Sequence, residues 1–400
     1  LSAMESSLAE PLSRLNRAAG DHRLEPFAKL DREVNARLRE HMDCDLDVRV
    51  QPPALGEILR SSIRLYAEEA GYVTRVEQKG HGLQRSVIFA LLRTYGDREL
   101  VFGEAGNPGR SCIFLIDEPE LYLHPHLQRR GMESLLKIGA AGDQVMYSTH
   151  SPLFIDFSLF DMVRVLRIDP EAANGSTRVY ALPMQRLVDD AIARNDDVQN
   201  AEAIRSVYRH ACGVREAEGL FAKRVIVVEG ATEAAAIPIY ADAILQHSLD
   251  ADSVSVVSCD GAGGIPKLCR VYGGLGIPFY PVVDWHGGGP QDAVVKKIAE
   301  LFDDDPPDHV CTDVRPQWAV FEDKWETMCQ DEIPGYDLLQ AAATQTLQCN
   351  SKQAIAHFIA SSLVSKGQQD GDPAAHIPDT IKQIVSSATV CSLIPGVLKQ

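Results

Sequence analysis

The 400-residue sequence predicts an α/β fold with two parallel-sheet parts, followed by a small helical region. Apolar runs without alternation occur at residues 112–116 and 224–228, a pattern typical of strands buried on both faces of a parallel sheet. Segments with helical periodicity separate these runs from further strands, which is the βαβ order of such sheets. Both runs end in acidic residues, at the end of the strand where open α/β sheets bind ligands. We therefore expect two carboxylate sites.

The composition, 45% hydrophobic and 24% charged, is that of a folded soluble protein of two or three domains. No apolar run approaches the roughly 18 residues of a membrane span, and the start is no signal peptide, so we expect a cytoplasmic protein without a membrane partner. The nine cysteines lack metal-site spacing, which argues against structural zinc and disulfides. A net charge of −17 excludes passive electrostatic binding of nucleic acid; phosphate contacts require local basic patches or bound metal ions.

The first site follows the run at 112–116. Asp117 and Glu118 stand at its end, where one acid can hold a Mg²⁺ ion and the other can orient or deprotonate a water for attack on a phosphate. The alternative is a buried strand that ends in solvated acids. A second apolar run, 144–147, leads to His150, which can hydrogen-bond a phosphate or an attacking water, or can be a structural polar residue.

Glycines upstream of these acids add a third element. Gly80 and Gly82 precede Gln84 and an apolar helix. Glycines at a helix entrance expose backbone N–H groups, which suit a phosphate. A plain loop with a helix cap is the alternative for a motif this short.

Three segments together resemble, in order and spacing, the signature, Walker B, D-loop and switch-histidine elements of an ABC-type ATPase of the SMC and RecF branch: residues 80–85, 117–125 and 148–152. The resemblance implies that Asp117 holds the Mg²⁺ of ATP. It further implies catalytic roles for Glu118, which would position the hydrolytic water, and for His150 beside the γ-phosphate.

The same resemblance implies that Gly80, Gly82 and Gln84 contact the ATP of a partner protomer, and therefore a homodimer or higher homo-oligomer. The chain departs from the family in one respect. No Gly-x-x-x-x-Gly-Lys-Ser/Thr motif, the Walker A loop, occurs in the sequence. Because Leu1 is not an initiator residue, we expect a truncated N-terminus and no ATP hydrolysis by this chain alone.

The second site follows the run at 224–228. Glu229 stands at the strand end and Glu233 falls in the first turn of an apolar helix, so both carboxylates can face one site while Gly230 permits the tight turn. An acid that favours the helix dipole is the alternative for Glu233. A later strand of the same βαβ series ends at Asp284, and acids from two parallel strands suit Mg²⁺ or Mn²⁺.

This block resembles a Toprim domain, the metal-dependent fold of topoisomerases, primases and some nucleases. Glu229 takes the place of the strand-one glutamate, and Asp284 that of the first acid in the family's Asp-x-Asp pair. His286 replaces the second acid. A histidine can ligate Mn²⁺ or a softer ion but supplies no negative charge, which puts full two-metal competence in doubt.

An ABC-type ATPase segment followed directly by a Toprim domain resembles the OLD (overcoming lysogenization defect) nucleases, from about residue 75 onward. That resemblance implies further site residues after the Toprim core, with Glu326 as a metal ligand and Lys352 as a catalytic charge stabiliser. Read from the residues alone, Glu326 belongs to a charged strand-to-helix transition and Lys352 to an ordinary first turn. The implied organisation is an ATPase part without Walker A (1–168), a helical connector (169–218), a Toprim domain (219–310) and a largely helical C-terminal part (311–400).

The function implied is an endonuclease that cuts DNA with Mg²⁺ or Mn²⁺ and is linked to ATP. One alternative is a nucleotide-gated DNA-binding or sensor ATPase whose Toprim domain is catalytically impaired, which the histidine at position 286 permits. A second alternative is a scaffold for an accessory effector protein.

Overall fold

The computed structural model describes residues 24–38, 64–69, 71–96, 112–168, 175–194, 196, 198–287 and 292–391. The chain divides into two compact units, Leu1–Val87 and Ile88–Gln400. None of the described helices combines the length and the apolar character needed to cross a membrane.

The first unit contains one helix and one hairpin among its described residues. Helix α1 spans Glu25–Leu38. Strands β1 (Tyr66–Glu69) and β2 (Tyr72–Arg75) pair antiparallel. The turn between them contains Gly71 at φ +83°, a backbone conformation that favours glycine. Helix α2 (His81–Gly96) begins in this unit and continues into the second.

The second unit begins with a parallel pair of strands. Strands β3 (Ile113–Ile116) and β4 (Gln144–Tyr147) pair in register, and helix α3 (Pro125–Ala140) connects them. The pair packs on a small core around Leu135, Ile138 and Phe154. The prediction that β3 is buried on both faces is wrong: Ile113 is 66% and Leu115 is 73% exposed, because among the described residues that core covers only one face of the pair.

The connector that follows is amphipathic. Strands β5 (Arg164–Ile168) and β6 (Thr177–Ala181) form an antiparallel hairpin before helices α4 (Met184–Ala193) and α5 (Ala201–Arg209). The helices bury apolar residues that recur at helical spacing, namely Leu187, Ala191, Ile204 and Tyr208. These residues belong to the same core as the sheet that follows, so the connector is packed rather than free.

The main sheet of the second unit has five strands in the order β10-β11-β9-β7-β8. The strands are β7 (Arg224–Val228), β8 (Val254–Ser258), β9 (Phe279–Asp284), β10 (Asp313–Val314) and β11 (Ala319–Phe321). All neighbours pair in parallel except β10 with β11. Strand β7 lies in the interior of the sheet and its residues Val225–Val228 are fully buried, as an unbroken apolar run requires.

Helices cover both faces of this sheet. On one face, α7 (Ile265–Gly274) and α8 (Ala293–Leu301) share a core with the connector helices. On the other face, α6 (Ala231–Leu245) packs with the C-terminal helices. These are α9 (Trp325–Glu332), α10 (Tyr336–Leu347), α11 (Lys352–Gln369) and α12 (Asp379–Val390).

Candidate active site

The ends of β7 and β9 lie at one edge of the main sheet, because the two strands are parallel neighbours. Glu229 follows β7 directly and Asp284 is the last residue of β9. Phe321, at the end of β11, pairs with Asp284, so the segment after β11 also starts at this edge. The sheet therefore places Glu229 and Asp284 at the same edge. The segment that leads to Glu326 starts there as well.

Glu233 joins them from the first turn of α6. Its side chain is folded back over the strand end, since a Cβ atom built on Gly230 would lie 3.0 Å from Glu233 Oε2. A larger residue at position 230 would push the end of this side chain aside. The backbone of Gly230 is extended (φ −131°), a conformation open to any residue, so the prediction that glycine is needed for a tight turn here is wrong. Glu233 is only 6% exposed. An acid that served only the helix dipole could remain in solvent, so the burial of Glu233 favours a place in the carboxylate cluster.

Burial and the charges of neighbouring carboxylates raise the pKa values of Asp284 and Glu233. Asp284 is 8% exposed, and burial, followed by the charges of Glu233, Glu229 and Glu326, raises its pKa to about 8. Burial also raises the pKa of Glu233, and Glu229 and Glu326 raise it further. These raised pKa values indicate that neighbouring residues do not fully neutralise the negative charge of the cluster.

Among the described residues, Lys352 is the one lysine that forms an ion pair with an acid of this cluster. Its Nζ atom donates to Glu326 Oε1 at 2.9 Å. That hydrogen bond raises the pKa of Lys352, and the charges of Glu326 and Glu233 add to the effect. The lysine side chain is 76% exposed, so it lies at the solvent side of the cluster, where an incoming anion can meet it.

The ring of His286 contacts Glu229. Its Nε2 atom lies 2.9 Å from Glu229 Oε2. The backbone N–H of His286 donates to Asp292 Oδ2 at 3.1 Å, and the buried Asp292 also caps α8 through the N–H groups of Val294 and Val295. The backbone of His286 is thus held by Asp292, and its ring lies within hydrogen-bonding distance of Glu229.

The donor chemistry of the cluster fits a divalent cation. Glu229, Glu233, Asp284 and Glu326 are hard oxygen donors that raise one another's affinity for positive charge, as Mg²⁺ and Mn²⁺ sites require. Among the residues that the structure describes, no three His, Cys, Asp or Glu side chains stand in an arrangement that could hold a metal ion. A bound cation would therefore have to draw these side chains closer.

A second carboxylate pair stands at the ends of β3 and β4. Because these strands are parallel with Ile116 opposite Tyr147, Asp117 and Ser148 follow them side by side. Ser148 Oγ donates to Asp117 Oδ1 and accepts the backbone N–H of Glu118 at 3.1 Å. Both acids are thereby tied to the neighbouring strand.

Glu118 and His150 also meet at this point. His150 Nε2 lies 3.3 Å from Glu118 Oε1, and Glu118 adopts φ +43°, an uncommon conformation for a residue with a side chain. The backbone N–H of His150 donates to Glu120 Oε1 at 2.7 Å. Glu120 is 6% exposed and fixes the histidine loop from the interior.

Gly80, Gly82 and Gln84 lie at the start of α2, in the first unit. Gln84 Nε2 donates to the carbonyl of Lys79 at 2.8 Å and to that of Glu77 at 3.3 Å, so its side chain braces its own loop. This arrangement is compatible with the cap alternative and leaves the predicted nucleotide contact a prediction.

Sequence reasoning missed three residues that shape these sites: Ser148, Glu120 and Asp292. Ser148 and Glu120 stand inside the quoted motifs, but their partners lie 30 or more residues away in the chain. Asp292 was open to detection, because an aspartate just before an apolar helix is the usual N-cap signal.

Comparison with known proteins identifies a domain around each of the two sites. The model for the Toprim domain of overcoming lysogenization defect protein-like proteins matches residues 220–285, and the model for an AAA ATPase domain matches residues 19–155. The Old nuclease of Escherichia phage P2 is 27% identical over 267 residues, which are 64% of this chain and 42% of that protein. The OLD nuclease of Thermus scotoductus is 30% identical over 226 residues, 56% of this chain and 38% of that protein. The predicted relationship to the OLD family is confirmed.

The chain thus contains an AAA-type ATPase segment followed by an OLD-like Toprim domain. It spans about two fifths of the length of the curated OLD relatives it matches. Among solved structures, the C-terminal region of the Xanthomonas campestris OLD protein is 17% identical with a TM-score of 0.32, over 42% of this chain and 95% of that one. The corresponding region of the Burkholderia pseudomallei OLD protein is 20% identical with a TM-score of 0.30, over 42% of this chain and 96% of that one.

Proposed function

We propose that this chain carries the cutting centre of a metal-dependent DNA endonuclease joined to an ATP-binding domain. The observation that carries the proposal is the carboxylate cluster at the edge of the main sheet. There burial raises the pKa of Asp284 to about 8, and the charges of the neighbouring carboxylates add to the effect. The nuclease names of the two curated relatives give the proposal its reaction class.

In this proposal Glu229, Glu233 and Asp284 hold one or two Mg²⁺ or Mn²⁺ ions, with Glu326 and His286 completing the site. Such cations supply a water of lowered pKa and polarise the phosphate. The chain's own residues fix where this happens: β7 and β9 set the spacing of Glu229 and Asp284, and α6 sets Glu233.

Lys352 acts on the substrate side. Its ammonium group is held by Glu326 at 2.9 Å and remains largely exposed. It can therefore donate to a phosphate oxygen as negative charge develops there, a role worth several kcal/mol in general. The pairing also keeps the lysine protonated, because its pKa is raised.

Nicking of supercoiled plasmid tests the proposal. The wild-type chain should cut with Mg²⁺ or Mn²⁺, and Glu229→Ala should lower the rate at least 100-fold without unfolding the protein. Glu133→Ala, which removes an exposed acid from α3, is the matched control and should leave the rate unchanged. Cutting by Glu229→Ala at the wild-type rate would contradict the proposal that Glu229 belongs to the nuclease centre.

The contact between His286 and Glu229 favours a second candidate, a DNA-binding or sensor ATPase with an impaired Toprim domain. A histidine that hydrogen-bonds the strand-one glutamate competes with a cation for the same oxygen. His286→Asp separates the candidates: a gain of at least 10-fold in nicking supports the impaired site, while a loss supports a histidine that serves the nuclease.

For the ATPase segment we propose that Asp117 holds the Mg²⁺ of ATP and that Glu118 and His150 act on the attacking water. Their hydrogen bonds across β3 and β4 support this, since they fix both side chains relative to one strand edge. Gly80, Gly82 and Gln84 would contact ATP from a partner protomer, which makes a homodimer or higher homo-oligomer the expected assembly.

A further inference from the structure

A basic edge lies beside the carboxylate cluster, on the face of the sheet covered by α7 and α8. The loop 259–264 leads from β8 into α7 and touches the strand end that carries Glu229. Gly261 N–H donates to the Glu229 carbonyl at 3.0 Å, and Ser258 Oγ donates to the same carbonyl at 3.4 Å. Because α7 starts directly after this loop, its first turn stands at the same edge of the sheet.

Lys267 occupies that first turn, and Lys297 comes from α8, which packs against α7 in one core. Helix α8 begins at the same edge as α7, because its cap Asp292 accepts the backbone N–H of His286, whose ring contacts Glu229. In agreement with this placement, burial lowers the pKa of Lys267, and the charge of Lys297 lowers it further. Neither lysine forms an ion pair with a residue in the described parts of the chain. The two lysines are therefore available to an external anion.

Exposed acids also lie near this edge. Asp260 is in the loop that leads into α7, and Glu300 is in α8, three residues after Lys297.

We propose that Lys267 and Lys297 form a phosphate-binding edge that holds the backbone of the DNA on which the carboxylate cluster acts. The inference rests on the proposed function, because it takes the substrate to be DNA. In a chain of net charge −17, a nucleic acid can stay bound only where local cations offset the general repulsion.

The chemistry of the edge fits the phosphate backbone rather than the bases. Lysine ammonium groups are point charges without the planar donor pattern that reads a base edge, so binding should not depend on sequence. The edge lies next to the loop that touches Glu229, so a strand held there passes the carboxylates. Each phosphate neutralised releases counterions, and two contacts should contribute about 2 to the slope of log affinity against log salt.

Binding of a fluorescein-labelled DNA duplex, followed by anisotropy at several salt concentrations, tests the inference. The comparison is made in the Glu229→Ala background, which removes cutting from the measurement. Adding Lys267→Gln and Lys297→Gln should weaken binding about 10-fold or more at low salt and reduce the salt slope by about 2. Lys366→Gln, which removes one exposed lysine near the opposite end of α11 from Lys352, is the control and should change neither quantity.

Thermal unfolding should be the same for the parent and the double-lysine variant. Mn²⁺ binding is compared with Glu229 intact, and it should be the same for wild type and for the variant that carries only Lys267→Gln and Lys297→Gln. If DNA binding falls together with Mn²⁺ binding, the lysines support the fold of the site and the inference is overturned. Equal affinity and equal salt slope overturn it as well, while nicking by the wild-type chain leaves the proposed nuclease intact. If the wild-type chain neither nicks nor binds DNA, the proposed function fails, and the edge fails with it.

Discussion

The two carboxylate sites of this chain share a strand arrangement, but their negative charges are balanced in different ways. Each places acids at the ends of adjacent parallel strands. At β3 and β4, Asp117 receives a hydrogen bond from Ser148, and Glu118 lies near His150, so each acid has a donor from the next strand. At β7 and β9, Asp284 faces other carboxylates in the interior, and its pKa rises to about 8.

This difference indicates how strongly each site favours the binding of a cation. Acids that already hold protein donors are fixed in place but have part of their charge satisfied. Acids buried against one another store repulsion that a divalent cation relieves on binding, so affinity for metal is built into the fold itself. The three predictions below test this contrast, from the largest expected effect to the smallest.

Asp284→Asn should have the largest effect, because it removes both a ligand and the buried charge. Nicking should fall at least 100-fold. The folded-state pKa of about 8 lies above the ordinary value of 3.8, so the native state keeps the extra proton between these limits and wild-type stability falls as pH rises from about 4 to 8. In chelator, Asp284→Asn should therefore equal wild type near pH 4 and exceed it by a few kcal/mol above pH 8.

Urea unfolding at a series of pH values measures this difference. Added Mn²⁺ should reverse the order of stability at pH 8, because only the wild-type site gains from the cation. Equal stability of the two proteins across the whole pH range would contradict a buried, charge-crowded Asp284.

Lys352→Ala should have an intermediate effect that splits two measurements. Nicking should fall roughly 10- to 100-fold, because the charge held near the substrate is lost. Mn²⁺ affinity should rise a few-fold, because Glu326 loses its partner and the site becomes more negative.

Lys352→Arg, which keeps the charge, should restore part of the nicking rate and the wild-type Mn²⁺ affinity. Calorimetric titration with Mn²⁺ gives the affinity. A parallel loss of nicking and of metal binding in Lys352→Ala would mean that the lysine supports the structure rather than the substrate.

Ser148→Ala should have the smallest effect and should be confined to the other site. Loss of its hydrogen bonds to Asp117 and Glu118 should cost about 1 kcal/mol of unfolding free energy and leave nicking without ATP unchanged. Ser134→Ala removes only a hydrogen bond within helix α3 and should cost less. Differential scanning fluorimetry and the nicking assay check both variants; a drop in nicking would show that the sites are not independent.

The sequence predicts most strongly where a whole signal lies in one segment. The run at 224–228 with Glu229 and Glu233 is contiguous, and the match of the OLD-like Toprim model confirms the domain it indicates. The order of an ATPase segment before a Toprim domain is confirmed in the same way. Individual site residues and domain boundaries stay predictions, because family models match segments and assign no roles.

Features that depend on distant packing could not be predicted. The distance between Glu326 and Lys352 is set by how α11 packs on α6, and no local pattern encodes it. The contact of His286 with Glu229 joins residues 57 positions apart. The exposure of Ile113 and Leu115 was missed for a related reason: a run of apolar residues shows affinity for a covering layer, but not whether one is packed there.

The packing of α11 decides how large a fragment must be if the carboxylate cluster is to be grafted into another protein. Its first residue, Lys352, meets Glu326, and its body packs with α6, the helix that carries Glu233. Strand β11, at residues 319–321, is also hydrogen-bonded to β9 in the main sheet. A fragment cut at residue 310 would lose two strands of the sheet, Lys352 with its partner Glu326, and the helices that cover α6. The smallest fragment that keeps the centre therefore extends through α12.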